Sequence, residues 1–458
     1  MTKYEELRNK YPTFYYHGFD VKEMDDSIFV TYDFEIEGLM RFNPTLKVPK
    51  NSDIKYDKTL LNKIIFSAGL AEIPSYWKPT CSPKIIIECG LLDEAQTGWL
   101  KKLMFNGLGE FFYTNGIDVS LNDFVDIISH GTVDSFIDEN SYNGYLVAVG
   151  GGKDSITSLE ILKEEKNKKA FIIGRRKVCL ESAYTAGLTD GDIINVERCY
   201  DKKILELNEK GFLNGHTPIS SCIAFISYLT AYLNGYKYVV LSNESSANES
   251  SVIGKNINHQ YSKSFEFEED FRYFTKRYLT DKIEYFSLLR PLSEIQIMKI
   301  FSKYPKYFNH FISCNKGGTR ANINNGKDGW CCNCAKCLFI YILMSNFISQ
   351  EQMEEIFGEN LLDNEGLLEI FLQLLGKKAT KPFDCVGTVE EVTFSVNNLV
   401  KKKVNKYLIN YYKDNYSPCE PDFSLLEQLN DEHNVPENLL GLLGKELKND
   451  NGYCKRYK

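Results

Sequence analysis

The chain has 458 residues with 43% hydrophobic and 13% aromatic content and a net charge of −8. This length implies two or three domains with well-filled cores, and the acidic balance excludes nucleic acid as the main partner, since binding it needs a basic face. The first residues carry no apolar signal core, and the longest apolar stretches, 222–233 and 337–344, are too short to cross a bilayer. The chain therefore reads as cytoplasmic, with no membrane partner.

In chain order, residues 1–140 read as an α+β domain. Period-two alternation predicts a strand over 27–37, and helical patterns follow at 60–71 and 96–105. From 141 to 345 strands alternate with helices. Strands are expected at 145–149, 170–173, 193–196, 238–241 and 284–288, and helices at 155–165, 180–187, 220–234 and 292–303. That alternation predicts an α/β fold, a doubly wound parallel sheet with ligands at the carboxyl ends of its strands. Residues 346–458 read as a C-terminal helical region whose tail, 449–458, frays.

The strand expected at 145–149 runs into Gly150-Gly151-Gly152-Lys153-Asp154-Ser155 and then a helical pattern. A strand, glycine turn and helix start make a cradle of backbone N–H groups aimed at an anion, aided by the helix dipole. It is not a Walker loop, because the four-residue spacer and the Gly-Lys-Ser/Thr ending are absent. The alternative is a glycine-rich turn that binds nothing.

Five of the thirteen cysteines, Cys314, Cys331, Cys332, Cys334 and Cys337, fall within 24 residues. Four thiolates on such tight turns suit tetrahedral zinc in a closed structural site. Cys314, Cys331, Cys334 and Cys337 are the expected ligands, with Cys314 reaching across the polar loop 315–330. Cys332 is left over and is an alternative to Cys331. The other eight cysteines read mostly as small core residues.

Further polar constellations sit at expected strand ends. Ser242-Asn243-Glu244 and Glu249 follow one buried strand, and either glutamate suits Mg2+ binding or proton transfer. Asn258-His259-Gln260-Tyr261-Ser262-Lys263 places His259 and Lys263 on one face if it is helical. His216 lies in the loop before Ser220, a candidate helix cap. Cys385, in a turn leading into a helix, is either a core residue or a reactive thiol. Arg175, Arg176 and Lys177 are available for a phosphate-bearing ligand or form a solvated turn.

The loop at 150–155 resembles the Ser-Gly-Gly-x-Asp-Ser loop of the PP-loop ATP pyrophosphatases, with Gly150 where that family usually has Ser. Loop and cysteine cluster together resemble the 7-cyano-7-deazaguanine synthases. The ordered series Gly-Gly-Gly-Lys-Asp-Ser, Gly-His-Thr-Pro-Ile-Ser, Ser-Asn-Glu-x-Ser-Ala, Asn-His-Gln-Tyr-Ser-Lys-Ser and Pro-Phe-Asp-Cys-Val-Gly-Thr-x-Glu-Glu is more similar to the UDP-N-acetylmuramoyl-L-alanyl-L-glutamate epimerases, over residues 140–395.

That resemblance implies an isomerase of peptidoglycan synthesis and cell wall biogenesis with a PP-loop, adenine nucleotide α-hydrolase-like domain. It implies ATP and Mg2+ as cofactors beside structural Zn2+. The terminal glutamate would be adenylated, epimerised and released with AMP and diphosphate. The enzyme would be paired in function with a ligase adding L-glutamate to UDP-N-acetylmuramoyl-L-alanine. Gly150, Gly151, Gly152, Lys153, Ser155 and Asn243 would hold the nucleotide, and Asp154 would bind Mg2+ or orient the loop. His259, Lys263, Glu244, His216 and Cys385 are candidates for substrate binding and proton transfer. Residues 1–140, by position alone and not by the resemblance, are available to bind the UDP-sugar part of the substrate. The competing readings are a ligase or nitrile synthase of the 7-cyano-7-deazaguanine type, which needs ammonia, and a non-catalytic ATP-binding module.

Overall fold

The architecture was obtained as a computed structural model. It describes residues 1–132, 135–252, 254, 257–314, 316 and 329–448. Most of the polar loop before Trp330 and the tail 449–458 lie outside those residues.

One eleven-stranded sheet organises the molecule. Its strands are β1 (Thr13–Glu23), β2 (Ser27–Ile36), β3 (Met40–Phe42), β4 (Thr45–Pro49), β5 (Lys84–Ile87), β6 (Asp126–Ser129), β7 (Tyr145–Ala148), β8 (Lys168–Ile173), β9 (Ile193–Cys199), β10 (Tyr238–Leu241) and β11 (Glu284–Ser287). The spatial order is β11-β10-β7-β8-β9-β4-β2-β1-β5-β6, with β3 beside β2. The run from β11 to β9 is wholly parallel. It is sequence order reversed at one place, between β7 and β10, which is the switch point where such sheets bind ligands.

Burial explains why these strands look different in sequence. In β7 the residues Tyr145, Leu146 and Val147 are all buried, because helices cover both faces of a parallel sheet. In β2 buried and half-buried residues alternate along the strand, as expected of a sheet with one wetter face. The five parallel strands lie within one residue of the expected bounds at every end but two: β8 starts at Lys168 and β9 runs on to Cys199.

That extension of β9 joins the two halves of the chain. Thr45, Leu46 and Lys47 of β4 pair antiparallel with Cys199, Arg198 and Glu197. Arg198 also makes two bonds of 2.6 Å to Glu72 on the helix Lys58–Trp77, a bidentate fork that fixes the sheet against its covering helix. That helix packs on Ile219–Asn234.

Helices at Lys153–Ile161, Lys177–Thr185, Ile219–Asn234 and Phe265–Tyr278 connect the parallel strands. Ser220 does not cap the third of these: Pro218 occupies the N-cap position, no side chain caps it, and Ser220 is already helical. The fixed φ of proline suits a helix start, which displaces the cap by two residues.

Behind the sheet, the apolar helix Ala335–Met344 is buried along its whole length. Around it pack Leu368–Leu374 and Val389–Lys401, forming a second core. Among the described residues no helix is long and apolar enough to cross a membrane. Of the scattered cysteines, Cys81, Cys179 and Cys222 are buried, Cys89 and Cys385 half-buried, and Cys199 and Cys419 exposed. Cys454 lies outside the described residues.

Candidate active site

A cavity of about 540 Å³ opens at the carboxyl ends of β7, β8 and β10, within the size range of small-molecule sites. Ala148, Phe171, Ile173 and Leu241 give it an apolar wall, and Gly150, Gly152, Asp154, Ser155, Arg176, Ser220 and Asn243 contribute polar or backbone surface. From the far side come Lys263, Lys336 and Cys385.

The glycine loop is built by its own hydrogen bonds. Ser155 Oγ accepts from the Gly151 amide at 3.2 Å and donates to Gly152 O at 3.1 Å. Gly151 has φ +81, and a Cβ there would come 2.8 Å from Val178, so glycine is required. A Cβ on Gly150 would meet nothing within 4 Å. Gly152 is the N-cap of Lys153–Ile161 and has no capping side chain, which leaves first-turn N–H groups facing the cavity.

Lys153 does not line the cavity. Its side chain is 0% exposed and its ammonium is clasped by Asp154 and Glu294. Burial pushes the Glu294 carboxyl up to about 8, against the pull of Lys153. Burial likewise works against the Asp154 carboxylate, but Lys153 and Lys336 hold it below the usual range.

Asn243 lies just past β10 and donates to Ser287 Oγ at 3.0 Å. Glu244 is buried, and its carbonyl accepts from Arg290 Nη1 at 2.6 Å. Arg290, 0% exposed, also donates to Lys263 O at 2.6 Å and to Glu268 at 3.2 Å. One guanidinium thus ties the loop after β10 to the loop that carries Lys263. Glu249 turns away to pair with Lys381.

Residues 258–264 are not an α-helix; only Tyr261–Lys263 form a 3₁₀ turn. His259 and Lys263 nevertheless converge on Cys385. Lys263 Nζ lies 3.1 Å from Cys385 Sγ, and the His259 ring acts electrostatically on the same thiol. His259 Nδ1 bonds Glu110, and its ring centroid is 4.4 Å from that of His216. Burial, and then His259, bring His216 down to about 4.

The Cys385 turn is pinned from both ends. The Lys381 amide donates to Ser251 O at 3.0 Å, and Lys381 Nζ donates to Gly387 O at 2.8 Å. Thr388 and Glu391 then cap Val389–Lys401 reciprocally. Burial alone would raise the Cys385 thiol, but Lys263, His259 and Lys336 bring it down to about 6. His259 is raised to about 9: burial opposes this, while Cys385 and Glu110 outweigh it.

Several of these groups escape a reading of sequence. Glu110 sits on the short helix Gly109–Thr114, and only the glycines at 107 and 109 mark its close approach. Lys336 lies between two cluster cysteines. Arg290 carries only the weak signal of a charge just past an apolar strand. Lys78, pushed down to about 8 by burial, donates to Gly215 O at 2.5 Å and Thr217 Oγ1 at 2.6 Å, positioning the His216 loop.

The sulfurs of Cys314, Cys331, Cys334 and Cys337 lie within 4.8 Å of one another. Three of the separations are 3.8, 3.7 and 3.5 Å. A zinc–sulfur bond of about 2.3 Å gives tetrahedral edges of about 3.8 Å, so the four thiols fit that ion. Cys332 adopts φ 57 and donates instead to Phe357 O at 3.2 Å.

The parallel sheet, with an anion-type helix start at its switch point and a thiol–lysine–histidine cluster across the cavity, defines an α/β protein with an enzyme-type pocket. Models of the MurL N-terminal domain and MurL C-terminal domain match residues 5–288 and 310–416, and the chain belongs to the MurL family. It is 31% identical over 387 residues to a UDP-N-acetyl-alpha-D-muramoyl-L-alanyl-L-glutamate epimerase of Xanthomonas oryzae pv. oryzae, covering 80% of this chain and 82% of that one. Proteins of the same name from a Micromonospora species and from Salinispora tropica are 31% and 30% identical over 80% and 83% of this chain, and 81% and 86% of theirs. No solved structure matches the chain significantly.

Proposed function

We propose that this protein epimerises the terminal L-glutamate of UDP-N-acetylmuramoyl-L-alanyl-L-glutamate to D-glutamate through an acyl-adenylate, consuming ATP and releasing AMP and diphosphate, in the service of peptidoglycan synthesis. The observation that carries this reading is the shared cavity. An anion-type helix start forms one wall, and the Lys263–Cys385 pair forms another. Activation of a carboxylate and movement of a neighbouring proton need adjoining sites of these two kinds.

The chemistry requires that order. The α-proton beside a free carboxylate is hard to remove, because the anion stabilises a carbanion poorly. Adenylation removes the charge and makes the proton more acidic. The amides of Gly150–Ser155 would hold the phosphates, and Asp154, which lines the same cavity, would hold Mg2+ beside them. Magnesium would offset charge on the diphosphate as it leaves, and Arg176 stands where a further phosphate contact is useful. The buried Lys153 acts on the loop through Asp154. Zinc in the four-cysteine cluster would be structural, holding the helix that carries Lys336.

The test is purified protein with Mg-ATP and the UDP-muramoyl dipeptide in deuterated water. Diphosphate together with one deuterium at the glutamate α-carbon is the expected result. Diphosphate without deuterium would instead indicate a ligase. Neither signal, with ATP still bound, would leave a binding module.

A further inference from the structure

Cys385 is where three cations from two segments of the chain meet, His259 and Lys263 from one loop and Lys336 from a helix. Its sulfur accepts from Lys263 Nζ at 3.1 Å, the His259 charge acts on it, and its carbonyl accepts from Lys336 Nζ. Behind His259 stands Glu110, held at Nδ1. Asp384, the adjoining acid, accepts from the Cys385 amide at 3.0 Å. A thiol with only a packing role has no such company. Burial pushes the fully buried Cys81 and Cys222 thiols well up, whereas the half-buried Cys385 is brought down to about 6 by its neighbouring cations.

We propose that Cys385 is the base that removes the α-proton of the activated glutamyl residue, with Glu110 the positioning residue that holds His259 against its sulfur. The assignment rests on the adenylation reading above. The Cα–H bond breaks, its electron pair passes into the activated carbonyl as an enolate, and the proton forms an S–H bond on Cys385. Lys263 contacts this sulfur and His259 lies in the same loop as Lys263, so both are placed on the sulfur's side of the α-carbon. The opposite face is therefore protonated by water in the cavity. The hydroxide left behind takes the proton from Cys385 and restores the thiolate. A thiolate is a weak base, which fits a carbon acid already made more acidic by neutralisation of its carboxylate.

A consequence concerns the first 140 residues. Glu110 is contributed by that part of the chain, so it completes the proton-transfer site as well as any surface for the remote end of the substrate.

The test uses full-length protein, Mg-ATP and the UDP-muramoyl dipeptide in deuterated water. In C385A and C385S, diphosphate release persists within about tenfold, while deuterium at the α-carbon falls by at least about 100-fold. E110Q keeps diphosphate release, but the acid limb of its exchange profile moves to higher pH, because His259 loses the anion that keeps it charged. Wild-type exchange in C385A overturns the assignment. So does loss of diphosphate release from both Cys385 variants with unchanged thermal melting, which makes the residue part of binding or adenylation. An unmoved pH profile in E110Q overturns the role of Glu110. If unsubstituted protein releases no diphosphate, the adenylation reading itself falls and this assignment with it, a result distinguished by appearing in the wild type.

Discussion

Lys263 Nζ and Cys385 Sγ are 3.1 Å apart across 122 positions of sequence. A lysine ammonium at that distance favours the thiolate over the thiol. Replacing Lys263 with Met removes the cation and leaves the burial, so the thiol moves up from about 6 towards, or beyond, its ordinary 9.0. The measurement is the pH dependence of alkylation, taken as wild type minus C385S and compared with K263M. Stability follows the same sign. A depressed folded-state pKa adds stability that is full above about 9 and is lost as pH falls through about 6. Wild type therefore gains on K263M in urea midpoint between pH 6 and pH 8, and an equal midpoint difference at both would count against the pair.

The four-cysteine cluster predicts one equivalent of zinc by elemental analysis of purified protein. Chelation of the ion should lower the melting temperature, since a structural site contributes its binding energy to folding. C337S should lose the metal. C332S should retain it, because Cys332 donates to Phe357 O and not to the cluster. Zinc retained by C337S and lost by C332S would reverse the ligand assignment.

Legibility in the sequence divides along the line between local and distant causes. The parallel strands announce themselves because burial on both faces demands runs such as Tyr145–Leu146–Val147, and the glycine turn follows from φ +81 at Gly151. The cysteine set was visible in spacing, though choosing Cys331 over Cys332 needed the backbone at φ 57. The antiparallel seam between β4 and β9 has no local signal, since any half-buried strand can serve as a partner. Glu110 and Arg290 were missed for the same reason. Each matters only through a residue remote in sequence, His259 for one and the Glu244 and Lys263 carbonyls for the other. His259 and Lys263 were paired for the wrong reason: they meet through Cys385, not through a helical face.

The burial of Lys153 predicts a stability defect distinct from any loss of turnover. K153M leaves Asp154 and Glu294 facing each other with no cation between them. Removing one partner of a buried ion pair costs about 3–5 kcal/mol, read as a fall in urea midpoint. E294Q keeps an amide oxygen to accept from Lys153 and avoids a second carboxylate, so its fall should be smaller. A K153M protein as stable as wild type would mean that Lys153 is not held as the structure places it.

Adjacent glycines make the sharpest local contrast. A Cβ at Gly150 has open space around it, whereas at Gly151 it would lie 2.8 Å from Val178 on a backbone with φ +81. G150S should therefore leave stability within about 0.5 kcal/mol of wild type. G151A should lose about 1–3 kcal/mol from the left-handed conformation alone, with more from the clash. Denaturant titration of both variants reads this directly. In G150S a new hydroxyl also faces the cavity, at the position where the PP-loop pattern carries serine, and the reading of this loop as a phosphate cradle predicts a lower KM for ATP in the diphosphate-release assay. A higher KM at unchanged stability would mean that the phosphates lie elsewhere in the cavity.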